Sequence, residues 1–171
     1  MGRSVLTYIL LIICLILTQV LICNHIMLFS VAIPLIFFYP ILRLPMSMPV
    51  KGVLTIAFIL GFIVDIFSDT PGVNAISCCL LAVLRKPVFH LYVGNDEALQ
   101  GVSPGIATLG FRIYAKYLLL LTPIYCCPAI GLEYFTFTDW QRTLCIIGGS
   151  SLLSYLLLLG IDALTGGRPR S

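Results

Sequence analysis

Residues 53–84 read VLTIAFILGFIVDIFSDTPGVNAISCCLLAVL, and this stretch decides the fold. It contains two apolar runs separated by the short polar turn SDTPG at residues 68–72. Pro71 suits the first position of a helix, where an N–H group would have no partner within the helix. Thr70 or Asp69 can cap the same helix with a side-chain oxygen. The stretch therefore predicts two helices that form a tight hairpin.

The composition around this hairpin indicates that most of the protein surface faces lipid. Hydrophobic residues make up 60% of the chain, and charged residues only 10%. A soluble domain carries about 25% charged residues, because its surface must face water. We therefore predict an all-α fold, a polytopic membrane helical bundle that forms a single transmembrane domain over residues 1–171.

The apolar runs predict about six transmembrane spans. A helix needs about 20 mostly apolar residues to cross roughly 30 Å of hydrocarbon. Prolines at positions 34, 40, 123 and 128 predict kinks in the second and fifth spans. The longest connection, residues 85–105, is predicted to be a cytoplasmic loop. The predicted spans lie at about residues 5–23, 26–42, 53–67, 71–84, 106–130 and 140–164.

The basic residues predict the orientation of the bundle. Cytoplasmic loops of membrane proteins carry an excess of Lys and Arg. Nine of the ten basic residues fall on one side of the predicted spans, and Arg142 alone falls on the other. We therefore expect both termini to be cytoplasmic. The nine residues are Arg3, Arg43, Lys51, Arg85, Lys86, Arg112, Lys116, Arg168 and Arg170.

A polar cluster is predicted at the extracytoplasmic ends of the spans. Asp65 lies within the third span, where burial of a charge is costly and often marks a functional residue. It is either a packing carboxylate, hydrogen-bonded to Thr, Ser or backbone groups of a neighbouring segment, or a polar contact to the helix of a partner. The topology brings Asp69, Glu133 and Arg142 to the same leaflet. We expect Arg142 to donate to Asp65, because a carboxylate near a helix C-terminus needs a compensating donor.

Two further pairs of residues have a structural and a functional interpretation. Arg112 and Lys116 lie four residues apart near the cytoplasmic interface, where such side chains usually extend toward lipid phosphates. The alternative is a contact site for an anionic lipid or a cytoplasmic partner. Ser150 and Ser154 give the sixth span small residues at helix-packing spacing, which indicates close approach of another helix.

No catalytic residue, cofactor or metal site is predicted. The seven cysteines lie in or at the ends of apolar runs, where cysteine packs as a small hydrophobe. His25 and His90 lack the spacing to cysteine that a structural metal site requires. The chain has no phosphate-binding loop and no H-E-x-x-H motif. Membrane lipids are the expected surroundings, and no nucleic-acid partner is predicted.

The hairpin and the second half of the chain resemble the family of the rod shape-determining protein MreD. In the hairpin the resemblance depends on Gly61, Asp65, Pro71 and Gly72, a Gly-x-x-x-Asp run followed by a short turn that contains glycine. The second half adds an arginine-bearing fifth span, which ends in a glutamate and an aromatic turn. One branch of the family often has two histidines in the fifth span, whereas this chain has Cys126-Cys127. The matching segments of the second half are Thr108–Arg112, Tyr117, Leu132–Phe137 and Arg142–Leu144.

The resemblance implies a non-enzymatic membrane subunit of the bacterial cell-elongation machinery, located in the bacterial inner (plasma) membrane. Such a subunit would bind the scaffold MreC, and possible further partners are other membrane proteins of the elongation complex. It would help to connect cytoplasmic filaments to peptidoglycan synthesis. The family is also similar in fold to the membrane substrate-binding subunits of vitamin transporters. A small-molecule-binding subunit of a transporter is therefore the alternative.

Overall fold

A computed structural model of the chain describes Leu10 and residues 12–20, 33–94, 101–133 and 140–165. The described residues are helical, with connecting turns and no strands. Helix α1 covers residues 12–18, and residues 19–20 continue it in π-helical geometry. The other helices are α2 (Tyr39–Arg43), α3 (Val50–Ser68), α4 (Val73–Val93), α5 (Ile106–Leu109), α6 (Phe111–Glu133) and α7 (Trp140–Thr165).

Four of these helices are long and apolar enough to cross a membrane, which identifies the fold as that of a helical membrane protein. They are Val50–Ser68, Val73–Val93, Phe111–Glu133 and Gln141–Thr165. The remainder of the first predicted span, residues 26–32 of the second, and both termini lie outside the described residues. So do residues 95–100 of the predicted loop and the connection between α6 and α7.

The long helices pack in the order α3, α4, α6 and α7. The α3–α4 turn defines one end of the bundle, which we call the hairpin end. At this turn Asp69 adopts a left-handed conformation with φ 55°, and Gly72 follows with φ 83°. The opposite end holds the segment of residues 101–110, which we call the strap, and the C-terminal turns of α2 and α7. The buried core between the ends contains Phe38, which stacks on Tyr125 with ring centroids 4.3 Å apart.

The second predicted span is not a continuous helix. Residues 33–36 have no regular secondary structure, Phe37 and Phe38 form a turn, and helix α2 begins at Tyr39. Pro34 has no N–H group and disfavours helical geometry in the residue before it. Pro40 lies at the start of α2, where a proline is tolerated. The sequence predicted kinks at these two prolines. The structure instead has a non-helical segment of several residues before α2.

The predicted loop of residues 85–105 starts too early, and the fifth span is divided. Helix α4 continues past residue 85 and through Pro87 to Val93, where Gly94 ends it with a positive φ of 70°. The basic pair at residues 85–86 therefore lies within the helix. Gly110 has a φ of 76° and separates the one-turn helix α5 from α6. The prediction of a single helix from residue 106 is wrong at this glycine.

Candidate functional site

The carboxylate of Asp65 joins the last turn of α3 to the first turn of α4. Its Oδ1 accepts hydrogen bonds from the Asn74 amide nitrogen at 2.9 Å and from Asn74 Nδ2 at 3.1 Å. The Thr70 hydroxyl donates to the same oxygen at 3.0 Å. Oδ2 accepts from the Ala75 amide nitrogen at 2.9 Å. Asp65 is buried, and both of its oxygens are occupied by donors of its own hairpin.

This arrangement explains how a buried carboxylate is tolerated near the C-terminus of α3. The residue that precedes α4 is Gly72, which has no side chain to cap the helix. The first N–H groups of a helix have no intrahelical partner and carry partial positive charge. Asp65 supplies the missing acceptor at this helix N-terminus. The charge of Asp65 is therefore unfavourable for its own helix and favourable for the next one.

Two further contacts hold the hairpin together. An added Cβ at Gly61 would lie 2.5 Å from the Ala75 Cα and 2.7 Å from the Asn74 carbonyl oxygen. Only glycine allows the two backbones to approach so closely. On the other side, the Tyr125 hydroxyl donates to Asn74 Oδ1 at 2.6 Å, which links α6 to the same helix start.

The prediction that Arg142 pairs with Asp65 is wrong. The donors to Asp65 are a hydroxyl, a side-chain amide and two backbone amides, all of them neutral groups. Arg142 is exposed at the start of α7, and Asp69 and Glu133 are also exposed. The four residues lie toward the hairpin end, but only Asp65 takes part in the buried network.

A second buried carboxylate, Asp162, joins three segments at the strap end. Arg43 of α2 forms an ion pair with Asp162 Oδ1 through its Nη1 atom. The Tyr39 hydroxyl donates to the same oxygen at 2.7 Å. Oδ2 accepts from the backbone amide of Ile106, in the strap, at 2.7 Å. Asp162 is fully buried. Within the described part of the chain, its ion-pair partner is Arg43.

The strap end also contains Arg85, a buried arginine that was predicted from the sequence to lie in a loop. The guanidinium of Arg85 donates to the carbonyl oxygens of Ile41 at 2.6 Å and Pro45 at 2.8 Å. These carbonyls belong to the last turn of α2 and the segment after it. Arg85 therefore fixes α2 to α4 through the backbone. The segment after α2 is also bonded to the strap, because the Met46 amide donates to the Val102 carbonyl at 3.3 Å.

Ser150 and Ser154 have a role that helix-packing spacing did not indicate. The Ser150 hydroxyl oxygen accepts from the Ile33 amide, and that of Ser154 accepts from the Leu35 amide, both at 2.9 Å. Gln19 accepts from the amide of residue 36 at 2.9 Å and donates to the Pro34 carbonyl at 3.1 Å. Because proline has no N–H group, every backbone donor of residues 33–36 has a side-chain acceptor. Non-helical backbone at membrane depth is tolerated where it is buried in protein that satisfies its polar groups, as here, or where it lines a water-filled cavity.

The remaining predicted site residues are not part of these networks. Arg112 and Lys116 are exposed in the first turns of α6. Among the described residues, no group of three or more His, Cys, Asp or Glu side chains is placed to hold a metal ion. The described cysteines are free thiols.

Sequence reasoning found Asp65 but missed Asp162, Arg85 and Gln19 as interior polar residues. Asp162 lies near the end of the predicted sixth span, at about residues 140–164. Its burial follows from Arg43, which is 119 positions away in sequence. One signal was available. Asp162 and Arg43 were both predicted at the same membrane face, with opposite charges.

Comparison of the chain with protein-family models, curated proteins and solved structures finds no match.

Proposed function

We propose that this protein is a non-enzymatic membrane subunit of the bacterial cell-elongation machinery, which binds an MreC-like scaffold protein. In this role it couples cytoplasmic filaments to peptidoglycan synthesis and thereby maintains rod shape. The proposal starts from the resemblance of the chain to the MreD family.

The observation that carries the proposal is the architecture of the hairpin. The residues of the resemblance, Gly61, Asp65 and Gly72, are the ones on which the α3–α4 contact depends. Both oxygens of Asp65 are engaged by Thr70, Asn74 and the following amide. The motif thus holds α3 and α4 in a fixed arrangement. A fixed arrangement of helices is what a subunit needs in order to present a rigid surface to other membrane proteins.

We further propose six spans in the inner (plasma) membrane, with both termini in the cytoplasm. The strap end is then the cytoplasmic end. Its described basic residues support this orientation, because basic residues concentrate on the cytoplasmic side. Arg142 lies toward the hairpin end, at the start of α7. The basic residues toward the strap end are Arg43, Lys51, Arg85, Lys86, Arg112 and Lys116.

Site-specific photo-crosslinking in a rod-shaped host tests the partner. Three separate variants each carry a photoreactive phenylalanine analogue in place of one exposed apolar residue. The replaced residues are Phe62 of α3, Leu80 of α4 and Leu152 of α7. The fully buried Leu118 provides the matched control. We expect a crosslinked product that contains the scaffold from one face of the bundle and none from the control position.

Depletion of the protein in the same host tests the role. We expect the cells to become round while vitamin uptake is unchanged. Loss of uptake with normal shape, and no scaffold product from any of the three helices, would instead favour the small-molecule-binding subunit of a transporter.

A further inference from the structure

Two tyrosine hydroxyls are buried at the strap end without a hydrogen-bond partner. Tyr114 and Tyr117 of α6 are almost completely inaccessible. Within the described part of the chain, neither hydroxyl is paired. Their rings stack on each other with centroids 6.2 Å apart, and Phe89 packs edge-on against Tyr117. Burial of an unpaired hydroxyl is unfavourable, so this closed arrangement carries a cost that an arrangement open to water would not.

The strap runs directly into the helix that carries these tyrosines and is fastened by Asp162. Tyr114 follows the strap by one helical turn, and its amide donates to the carbonyl of Gly110, the last strap residue, at 3.1 Å. Asp162 accepts from the Ile106 amide of the strap at 2.7 Å. Pro104, Gly105 and Leu109 are the strap residues that are buried against the rest of the protein.

Glycines lie at the two positions of the strap where movement would be needed. Gly110, at the junction with α6, has a φ of 76°, a conformation that glycine adopts without strain. An added Cβ at Gly105 would lie 2.8 Å from Arg43 Nη1 and 3.6 Å from Asp162 Oδ2. The strap therefore has a junction at which glycine permits a change of backbone conformation, and a close-fitting contact at Gly105.

We propose that the strap is a two-state closure of this end of the bundle, held shut by Asp162 and biased open by the hydroxyls of Tyr114 and Tyr117. In the closed state Asp162 has its three hydrogen-bond contacts, whereas the two phenols have no partner among the residues that the structure describes. In the open state water or lipid headgroup oxygens reach the phenols, and the Ile106 amide loses its acceptor. The inference rests on these contacts alone and is independent of the proposed function.

Amide hydrogen exchange of the intact protein in lipid nanodiscs tests the proposal, because it measures local opening. The readout is exchange in peptides that cover residues 101–110. Tyr114→Phe with Tyr117→Phe removes the unpaired hydroxyls, so strap exchange should slow. Asp162→Asn removes the ion pair with Arg43 and weakens the contact to Ile106, so strap exchange should accelerate. Loss of one hydrogen bond corresponds to a change of roughly fivefold in exchange, and loss of both unpaired hydroxyls to a change of roughly fivefold to thirtyfold.

Two control variants separate strap opening from general loosening. Tyr155→Phe removes a partly buried hydroxyl from α7, and Asp65→Asn weakens the network at the hairpin end. Both should leave strap exchange unchanged. If Asp162→Asn accelerates exchange throughout α6 and α7, the phenylalanine variants alone decide. Unchanged or faster strap exchange in the double phenylalanine variant would overturn the proposal, because the hydroxyls would then have no effect on opening or would stabilise the closed state.

Discussion

Asp65 Oδ2 accepts a hydrogen bond from the backbone amide of Ala75, ten residues later, at 2.9 Å. A carboxylate at the end of one membrane helix thus completes the start of the next. The turn between them is short enough that the helix C-terminus and N-terminus are neighbours at the same membrane face. The hairpin therefore contains its own acceptor for amides that would otherwise be buried without a partner.

Asp65→Asn should lower the free energy of unfolding by about 1.5–3 kcal/mol, the range for hydrogen bonds to a charged group. Asparagine keeps one acceptor oxygen but directs an NH₂ group at donors of the hairpin. The measurement is thermal or denaturant unfolding in detergent micelles. Asp69→Asn is the matched control, because Asp69 is exposed in the same turn and asparagine tolerates its left-handed backbone. Equal stability of the two variants would refute this role of Asp65.

Arg142→Ala should leave stability within about 0.5 kcal/mol of the wild type, as is usual for an exposed side chain. The reason is that Arg142 takes no part in the Asp65 network. The same unfolding assay checks this prediction, and copurification with the scaffold can be followed in parallel. A marked loss of stability would mean that the guanidinium reaches a buried acceptor after all.

Gly61→Ala should destabilise the α3–α4 contact by about 1–3 kcal/mol, the usual cost of overpacking. The new methyl group would lie under 3 Å from backbone atoms of α4, so the helices must separate. Gly148→Ala is the control, because a Cβ there meets no atom within 4 Å and alanine favours the helix. Yield of folded protein and melting temperature are the readouts. The prediction fails if the Gly61→Ala and Gly148→Ala variants have the same melting temperature.

Ser150→Ala and Ser154→Ala should each cost about 1–3 kcal/mol, the penalty for leaving a buried donor without a partner. The amides concerned belong to Ile33 and Leu35. Ser151→Ala is the control, since that hydroxyl donates to the Gly148 carbonyl on its own helix. Hydrogen exchange at residues 33–36 should accelerate in the first two variants and not in the third. Normal protection in all three would exclude the serines as the acceptors.

Accessibility of introduced cysteines should report the orientation of the bundle. In a variant without its native cysteines, Pro71→Cys at the hairpin end should react with a membrane-impermeant maleimide in intact spheroplasts. Gly101→Cys in the strap should react only after the membrane is opened. Both positions are exposed, so the difference reports the side of the membrane. Reaction of Gly101→Cys in intact spheroplasts would place the strap end outside.

The hairpin could be predicted from the sequence because its signals are local. Two apolar runs, Pro71 and a polar turn are enough to place two helices and to mark Asp65 as an interior charge. Arg142 was wrongly preferred as the donor because sequence reasoning looked for a charged side chain, whereas the packing alternative had named Thr, Ser or backbone groups. The actual donors include backbone amides, which every residue type carries and which no composition reveals.

The strap end could not be predicted in the same way, because its contacts are distant in sequence. Arg43 and Asp162 are separated by 119 positions, and Arg85 reaches a carbonyl 44 positions away. A basic pair usually marks the end of a span, yet here Arg85 is folded into the interior. Only the packing of α2 against α4 turns that arginine inward.

The backbone of residues 33–36 sets an order for the assembly of this protein. Its acceptors on α7 are 117 and 119 residues downstream, so they do not exist while the segment is being synthesised. Until α7 is inserted, the amides of Ile33 and Leu35 must remain hydrated, because unpaired amides are costly in hydrocarbon. Residues 33–36 therefore reach their final position only after α7 has been translated. A ribosome-bound chain that ends before Ser150 would hold this segment at the membrane surface, open to proteases and chaperones.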